Sequence, residues 1–266
     1  MVERAGDRIR RISSVFFALT VACVAGCARV PRFSPGGMLQ DAVESGALCT
    51  AFQARVSDSG AFRALLDSSL ATSDESYSFR YALVGRGSKD LRIDLLPREG
   101  AYTLGLLTVR GDKALMIDSQ AKRYASECEP NALFERFFGL QGITPDLVRA
   151  LLLGRIPALA CEDVTVFRTD TGRLQFLDLR THRVWEVDEP SGLVRGVQIL
   201  NSSHSNVYAV AERVRTPGGD AIAISIFKPV KASAEMQITK LILNPSLAEG
   251  LFGVMPPAGY ERESCD

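Results

Sequence analysis

The stretch Tyr77-Ser78-Phe79-Arg80-Tyr81-Ala82-Leu83 indicates the fold class of this chain. Large apolar side chains at every second position alternate in it with small or charged ones. A period of two is typical of a β-strand that buries one face and exposes the other. The stretch therefore predicts a half-buried strand with Phe79 and Tyr81 on its buried face.

The same alternation recurs on both sides of this stretch. Leu91, Ile93 and Leu95, for example, alternate with Arg92 and Asp94. Residues 62–70 fit either a strand or the end of a helix, and we favour the strand. Turn-forming glycines and prolines separate many of the segments. The predicted strands cover residues 62–70, 77–83, 91–95, 102–106, 115–117, 164–167, 174–179, 183–187, 193–200, 207–214, 221–227 and 235–243.

Two amphipathic helices interrupt the strands. The first begins at Pro130 and stops at Gly139, and its apolar face holds Leu133, Phe134, Phe137 and Phe138. The second begins at Thr144-Pro145-Asp146, which supplies a hydroxyl cap, a proline and an acid for the first turn. It ends at Gly154, and its apolar face holds Leu147, Val148, Leu151 and Leu152. A further helical pattern covers residues 38–56.

This order of elements predicts a mainly β fold of the α+β class. Many antiparallel strands with one inserted helix pair require one highly curved antiparallel sheet of about eleven strands. The concave face of such a sheet must be covered, and the amphipathic helix pair is the available cover. We therefore expect a helical lid over the concave face.

The N-terminus has the pattern of a cleaved leader. A basic start is followed by an apolar run at residues 15–25, too short to span a bilayer, that ends in Val24-Ala25-Gly26-Cys27. This ending resembles the lipobox of bacterial lipoproteins. The resemblance implies a signal peptide at residues 1–26, acylation of Cys27, a linker at residues 27–37 and a folded domain at residues 38–266. An ordinary secretory leader with an incidental cysteine is the alternative.

Residue 28 bears on which membrane holds the anchor. An Asp directly after the acylated cysteine is the common signal for retention in the inner membrane, and this chain has Ala28. By resemblance to such lipoproteins, we expect a protein that faces the periplasm and is anchored in the outer membrane by its N-terminal lipid.

Four further cysteines follow Cys27, namely Cys49, Cys128, Cys161 and Cys265. An even number in an exported protein favours two disulfides, with four free buried thiols as the alternative. Cys128 and Cys161 flank the helix pair, so we predict that they pair and clamp it. Cys49 would then pair with Cys265 and tie the first helix to the C-terminus.

Composition and motifs argue against several functions. The chain has 31 basic and 31 acidic side chains, which gives no electrostatic case for binding nucleic acid. The sequence contains no nucleophile elbow, phosphate-binding glycine loop or metal-ligand cluster. The two histidines, His182 and His204, are expected at the surface rather than as catalytic bases. We therefore expect a protein that is not an enzyme and needs no cofactor.

Five segments between residues 62 and 260 resemble, in this order, the LolA/LolB-like lipoprotein-carrier superfamily. They are Leu91-Arg92-Ile93-Asp94-Leu95-Leu96-Pro97, Leu115-Met116-Ile117-Asp118, Lys122-Arg123-Tyr124, Leu151-Leu152-Leu153-Gly154-Arg155-Ile156-Pro157 and Leu251-Phe252-Gly253-Val254-Met255-Pro256-Pro257-Ala258-Gly259-Tyr260. The expected lipid anchor places the resemblance on the LolB side. It implies an unclosed β-barrel, capped by helices, whose apolar cavity accepts acyl chains. LolB-like members carry an exposed apolar residue on a hairpin loop; the matching loop here, residues 96–101, has a charged tip.

The resemblance also implies a function and a set of partners. The protein would bind the acyl chains of lipoproteins or related amphiphiles and assist their localisation to the membrane, and a separate periplasmic carrier could supply them. The alternative is a non-catalytic envelope scaffold in which the same side chains fill the cavity. The residues expected to line the cavity are Phe79, Tyr81, Ile93, Leu106, Phe134, Phe138 and Leu151.

Overall fold

The computed structural model describes residues 32–55, 60–72, 76–99, 102–138, 142–204, 206–227 and 232–265, so the expected signal peptide and Cys27 lie outside the described residues. The strands are β1 Gly37–Leu39, β2 Phe62–Thr72, β3 Ser76–Arg86, β4 Asp90–Pro97, β5 Gly105–Arg110, β6 Lys113–Asp118, β7 Arg123–Cys128, β8 Val164–Thr169, β9 Arg173–Asp178, β10 Arg183–Asp188, β11 Val194–Leu200, β12 Val207–Thr216, β13 Gly219–Ile226, β14 Ala232–Leu243 and β15 Glu261–Arg262. The helices are α1 Ala42–Arg55, α2 Pro130–Phe138 and α3 Pro145–Leu153, and a 3-10 turn covers Cys161–Asp163.

The strands form one unclosed sheet. Its order is β1-β8-β9-β10-β11-β12-β13-β14-β2-β3-β4-β5-β6-β7-β15, and the pairing of β14 with β2 joins its two halves. All neighbours are antiparallel except β15, which runs parallel to β7. The predicted curved antiparallel sheet is confirmed. The described residues form 15 strands: the twelve predicted ranges correspond to β2–β6 and β8–β14, and β1, β7 and β15 carry too little apolar alternation to be predicted.

The burial of β3 follows the predicted period of two. Phe79, Tyr81 and Leu83 are buried, while Ser78 is exposed and Arg80 is half-buried. Residues 62–70, which fitted either a strand or a helix end, lie entirely within β2, and the strand continues to Thr72. Propensity and alternation therefore agree with the structure where one face of the sheet meets the core and the other meets solvent.

Strand β5 is buried on both faces, and the prediction for it is shifted. It begins at Gly105 rather than at residue 102, and Leu107 and Val109 face the main core. Leu106 was expected in the cavity, but it lies on the opposite, outer face in a separate cluster. The prediction was wrong because odd and even positions of this strand are both apolar, so the sequence does not indicate which side chains face the core. The outer cluster comprises Leu106, Leu115 and Ile117, covered by Tyr124, Val254 and Tyr260.

The two ends of the strands form two rims. Alternate connections of an antiparallel meander lie at the same end of the strands. We call the end that carries the β4–β5, β6–β7, β9–β10 and β11–β12 connections the upper rim. The end that carries the β3–β4, β5–β6, β8–β9 and β10–β11 connections is the lower rim.

The N-terminal segment crosses the outer face of the sheet. Arg32 bridges to Asn206 at the upper rim, and Phe33 packs against a second outer cluster. This cluster comprises Leu177, Val184, Leu200 and Val207. The chain then pairs with β8 as β1, so the expected linker already forms strand at Gly37. Helix α1 begins at Ala42, later than predicted, because Asp41 Oδ1 accepts a hydrogen bond from Glu44 N at 2.8 Å and caps it. No helix in the described part of the chain is long and apolar enough to cross a membrane.

All four described cysteines are in disulfides, but the predicted pairs are wrong. Cys49 pairs with Cys161, and Cys128 pairs with Cys265, with Cα atoms 5.6 and 5.5 Å apart respectively. Helix α1 packs on β8 and on the 3-10 turn, which brings Cys49 to Cys161. The C-terminal tail runs beside β7 as β15, which brings Cys265 to Cys128. Proximity in sequence to the helix pair did not decide the pairing.

Candidate functional site

The helix pair α2–α3 packs across the sheet as the predicted lid. Its buried apolar side chains join the main core together with the inward-facing strand residues. The faces predicted from helical spacing are the ones buried. The fully or nearly fully buried members are Leu133, Phe134, Phe137, Phe138, Leu147, Leu151 and Leu152.

Caps fix both ends of α3. Thr144 Oγ1 accepts a hydrogen bond from Leu147 N at 3.3 Å, and Pro145 occupies the first turn. Gly154 ends the helix at a φ of +64°, where a Cβ would also lie 2.7 Å from Arg213 Nη1. The predicted start and end of this helix are confirmed.

A buried arginine ties α3 to the lower rim. Arg149 is 6% exposed; its Nη2 donates to Asp90 O at 2.6 Å, and its Nη1 donates to Gly87 O. Burial lowers the pKa of Arg149, and the carboxylates of Asp146 and Asp90 act against that shift. The guanidinium stays charged, because arginine is not deprotonated in proteins. Its charge-assisted bonds hold the helix on the β3–β4 turn.

A second buried arginine holds the loop between the lid helices. Arg183 of β10 donates from Nη2 to Gly142 O at 3.1 Å, and Glu135 Oε1 accepts from Gly142 N at 2.7 Å. Burial lowers the pKa of Arg183, and the carboxylates of Asp146, Asp178 and Glu135 act against that shift. Both lid helices are therefore fixed by polar bonds as well as by apolar packing.

A small closed cavity lies under the lid. Its volume is about 20 Å³, close to the space that one water molecule needs, so it cannot hold an acyl chain in this conformation. Burial raises the pKa of the Tyr81 phenol, the one ionisable side chain of its lining. The lining consists of Leu66, Tyr81, Leu83, Phe138, Ile143, Leu147, Val148, Leu151, Ile222, Ile224 and Met236.

An open apolar groove lies at the upper rim, beside the last turn of α2. Its volume is about 220 Å³, and apolar side chains form most of its surface. Phe79, Leu95, Leu104, Met116 and Phe137 form its floor and walls. Leu104 of the β4–β5 connection lines it, and Tyr102 of the same connection is exposed, while residues 100–101 of the loop expected from the family resemblance lie outside the described residues.

Neighbouring aromatic rings separate the groove from the closed cavity. Phe137 lines the groove and Phe138 lines the cavity, and their ring centroids are 5.4 Å apart. On β3, Phe79 faces the groove and Tyr81 faces the cavity, with the Tyr81 ring 5.6 Å from that of Phe138. The two apolar spaces are therefore adjacent and divided by side chains rather than by backbone.

The C-terminal tail forms one wall of the groove. The carboxylate of Glu263 accepts hydrogen bonds from Arg123, at 3.1 Å, and from Arg136 of the lid helix. Arg136 also donates to Ser264 O at 3.1 Å, and the Cys128–Cys265 disulfide lies next along the tail. This wall is thus fixed to the sheet covalently and to the lid by an ion pair.

The six remaining cavity predictions all concern residues on the concave side. Tyr81, Phe138 and Leu151 line the closed cavity, Phe79 lines the groove, and Ile93 and Phe134 are buried in the core and line neither space. The structure therefore brings the predicted residues into one core but divides them between two apolar spaces.

The sequence reasoning missed several residues of the groove, among them Leu104, Met116 and the rim arginines Arg123 and Arg136. For Met116 a signal existed. It stands between Leu115 and Ile117, and an unbroken apolar run indicates a strand that is buried on both faces. The arginines carried no local signal, because their place at the rim depends on the C-terminal tail.

Two other features of the described residues are set apart from this site. A depression of about 620 Å³ lies at the lower rim between α1 and α3, and its lining combines apolar side chains with the charged Lys89, Asp112 and Asp146. The histidines expected at the surface are partly buried, and Nδ1 of His182 lies 2.7 Å from Nε2 of His204. Within the described ranges, no group of three or more His, Cys, Asp or Glu side chains could hold a metal ion.

No protein-family model and no curated protein matches this chain. Solved structures do match. A LolA superfamily protein of Nitrosomonas europaea has 11% identity and a TM-score of 0.51, with 78% of this chain and 96% of that chain covered. A domain of Vibrio parahaemolyticus, whose name assigns it to outer membrane lipoprotein sorting, has 12% identity and a TM-score of 0.55, with 80% and 97% covered.

A third match is a DUF1329 family protein of Desulfovibrio piger, with 8% identity, a TM-score of 0.56, and 80% of this chain and 98% of that chain covered. At such identities the likeness shows the fold and not the function. The architecture expected from the sequence and the matched structures agree: this chain has a LolA-like fold.

Proposed function

We propose that this protein binds the acyl chains of lipoproteins or related amphiphiles and assists their localisation to the membrane. It would do so as a LolB-like lipoprotein, anchored through Cys27 in the outer membrane and facing the periplasm. The observation that carries the proposal is the open apolar groove of about 220 Å³ beside the lid. Its partners would be the membrane, the acylated cargo and a periplasmic carrier that supplies it, with no role for nucleic acid.

The proposed process is transfer between apolar environments. Transfer of an acyl chain out of water is favourable by about 0.8 kcal/mol of free energy per buried methylene. A carrier must therefore offer a comparably apolar lining and still release its cargo. Phe79, Leu104 and Met116 offer that lining in the groove. Transfer of this kind breaks no covalent bond, so the proposal includes neither an enzyme activity nor a cofactor.

We also propose a route by which a longer chain would enter. The groove ends at Phe137, and the closed cavity begins at Phe138. A chain that fills the groove can therefore advance under the lid only if the Phe138 ring moves. The groove would be the first binding place and the closed cavity its extension.

Titration with a fluorescent fatty acid tests the groove. Leu104 is partly buried in the groove wall, so Leu104→Glu should leave the fold intact and weaken binding about tenfold or more, because a carboxylate opposes an apolar tail. Leu243→Glu at the lower rim, 58% exposed, is the matched control and should bind as the wild type does. Equal binding by both variants would show that the acyl chain does not bind in the groove.

Membrane fractionation tests the anchor separately. Cys27→Ser should leave the precursor unprocessed or release a soluble form, because it removes the thiol that would be acylated. A variant with unchanged mass and unchanged membrane association would remove the anchor from the proposal. The acyl-binding result does not depend on this outcome.

The scaffold alternative has one observation in its favour. The space under the lid, about 20 Å³, is almost filled by side chains. If the folded wild-type protein binds no acyl chain in the titration, the scaffold function is favoured.

A further inference from the structure

The groove beside the lid has an apolar body and a charged mouth. Phe79 and Met116 are buried in its body, whereas the side chains of Arg123 and Arg136 are 49% and 27% exposed. We call these two residues the arginine pair. Among the residues that the structure describes, the charged side chains of the lining are Asp118, Arg123, Arg136 and Glu263. An amphiphile has the same division into an apolar chain and a polar headgroup, so these charges bear on which headgroup the groove accepts.

The two carboxylates of the lining differ in what holds them. Asp118 Oδ1 accepts hydrogen bonds from two backbone N–H groups of the β6–β7 turn, both at 2.9 Å, so this side chain belongs to the turn. The Glu263 carboxylate instead accepts from Arg123 and Arg136. The arginine pair therefore shares one carboxylate, and the three side chains together carry a net positive charge, because arginine is not deprotonated in proteins.

Other contacts hold Arg136 and the C-terminal tail in place. Arg136 Nη1 donates to Ser264 O at 3.1 Å. The tail backbone is held by a hydrogen bond from Glu263 N to Tyr124 O at 2.8 Å and by the disulfide near its end. Neither contact involves the Glu263 carboxylate. Only the Glu263 side chain therefore has to turn away to leave both guanidinium groups open to a ligand in the groove.

Three other arginines show what distinguishes this pair. Arg149 and Arg183 are buried, and they donate to backbone carbonyls that hold the lid. Arg80 pairs with Asp67 at 2.7 Å, but it lies on the opposite face of β3 from Phe79 and does not line the groove. The arginine pair is thus marked by partial exposure, by a shared carboxylate and by its place beside an apolar groove.

A guanidinium group binds carboxylate and phosphate oxygens through its fork of N–H donors, and Glu263 already places a carboxylate between two such groups. From this arrangement we propose that Arg123 and Arg136 bind the anionic headgroup, a carboxylate or a phosphate, of an amphiphile whose acyl chain lies in the groove. Glu263 occupies the headgroup site until the ligand displaces its carboxylate. The inference rests on the proposed acyl-binding function, and it selects the amphiphiles that carry a negative charge beside the chain.

Three amphiphiles with the same alkyl chain test the headgroup. Decanoate and decyl phosphate are anionic, and 1-decanol is uncharged. Isothermal titration calorimetry measures the affinity of each for the chain from Cys27 onward, which contains every described residue. Because 1-decanol reports on the apolar groove alone, it separates damage to the groove from loss of the headgroup site.

Two variants change the charge at the mouth in opposite directions. Glu263→Gln removes the competing carboxylate and should raise the affinity for both anions about fivefold, because the arginine pair then faces no negative charge. Arg123→Gln with Arg136→Gln should lower the affinity for both anions by about fivefold or more. Both variants should bind 1-decanol as the wild type does. Arg80→Gln removes an arginine from the ion pair with Asp67 outside the groove, and this matched control should bind all three compounds as the wild type does.

The outcomes separate this inference from the function on which it rests. A larger gain for decyl phosphate in Glu263→Gln would assign the site to phosphate headgroups, and a larger gain for decanoate would assign it to carboxylates; both support the inference. If the double arginine variant also loses 1-decanol, its groove is damaged and Glu263→Gln alone decides. Anion affinities that stay at the wild-type value in Glu263→Gln, or that change equally with the 1-decanol affinity, would overturn the inference and leave acyl binding intact. A wild type that binds none of the three compounds would contradict both.

Discussion

The two apolar spaces beside the lid differ in size, in closure and in what borders them. The cavity under α3 measures about 20 Å³ and is enclosed by side chains from both lid helices and the sheet. The groove at the end of α2 measures about 220 Å³ and opens to solvent between the lid and the C-terminal tail. The comparison teaches that the lid is a packed part of the core along most of its length. The open apolar space on the concave side lies where α2 ends.

The largest expected effect comes from a charge in the closed cavity. Leu151 is 3% exposed and lines it, so Leu151→Glu should destabilise the protein by about 5 kcal/mol or prevent folding, because the carboxyl group has no water or partner there. Denaturant unfolding measures this. Leu104→Glu in the groove is the matched variant, and a similar loss of stability in both would show that the two spaces do not differ.

Truncation of two adjacent lid residues sharpens the comparison. Phe138 contacts the rings of Tyr81, Phe134 and Phe137, so Phe138→Ala should cost about 3–5 kcal/mol in the free energy of unfolding. Phe137 is as buried as Phe138 but borders the open groove, so Phe137→Ala should cost a similar amount of stability and change acyl binding more. Chemical denaturation and fatty-acid titration of both variants check this. A larger change of acyl binding in Phe138→Ala than in Phe137→Ala would contradict the division of the two spaces.

Removal of one disulfide tests the wall of the groove. Cys128→Ala with Cys265→Ala should lower stability by about 2–4 kcal/mol and loosen the tail that carries Glu263, so acyl binding should change as well. Cys49→Ala with Cys161→Ala is the control, because that disulfide ties α1 to the 3-10 turn and is not part of the groove lining. It should cost a similar amount of stability and leave acyl binding as it is. Identical binding in both double variants would argue against the tail as a wall.

The smallest effect tests how dry the closed cavity is. Burial raises the pKa of the Tyr81 phenol above its unfolded value of about 10. A raised folded pKa gives stability that is complete below pH 10 and is lost as the pH rises past 10, since the unfolded state then releases the proton more readily. Tyr81→Phe should therefore lose less stability than the wild type between pH 9 and pH 11, whereas Tyr102→Phe, at an exposed position, should follow the wild type. Thermal unfolding across this pH range measures the difference, and parallel curves would mean that water reaches Tyr81.

Local patterns predicted the sheet and the lid because both depend on spacing within single elements. The alternation around Tyr81 and the capping signals of Thr144 and Gly154 are statements about a few neighbouring residues, and the structure confirms each. The position of Leu106 could not be predicted in the same way, because a strand that is buried on both faces has no polar residues to mark its outer side.

Long-range features decided the candidate site and were missed. The partners of Cys49 and Cys128 follow from where α1 and the C-terminal tail cross the sheet, over separations of 112 and 137 residues. The groove depends on the same tail, since Glu263 brings Arg123 and Arg136 together. No spacing rule within the sequence contains that information.

The two short outermost strands have a consequence for how this protein behaves in a crowded envelope. A long sheet that ends in unpaired backbone groups is a template for the strands of other molecules. Here β1 covers the free side of β8 with three residues, and β15 covers that of β7 with two, and each is drawn from a terminal segment of the described fold. These two terminal strands thus reduce edge-to-edge aggregation, and the disulfide of Cys265 holds β15 on its edge.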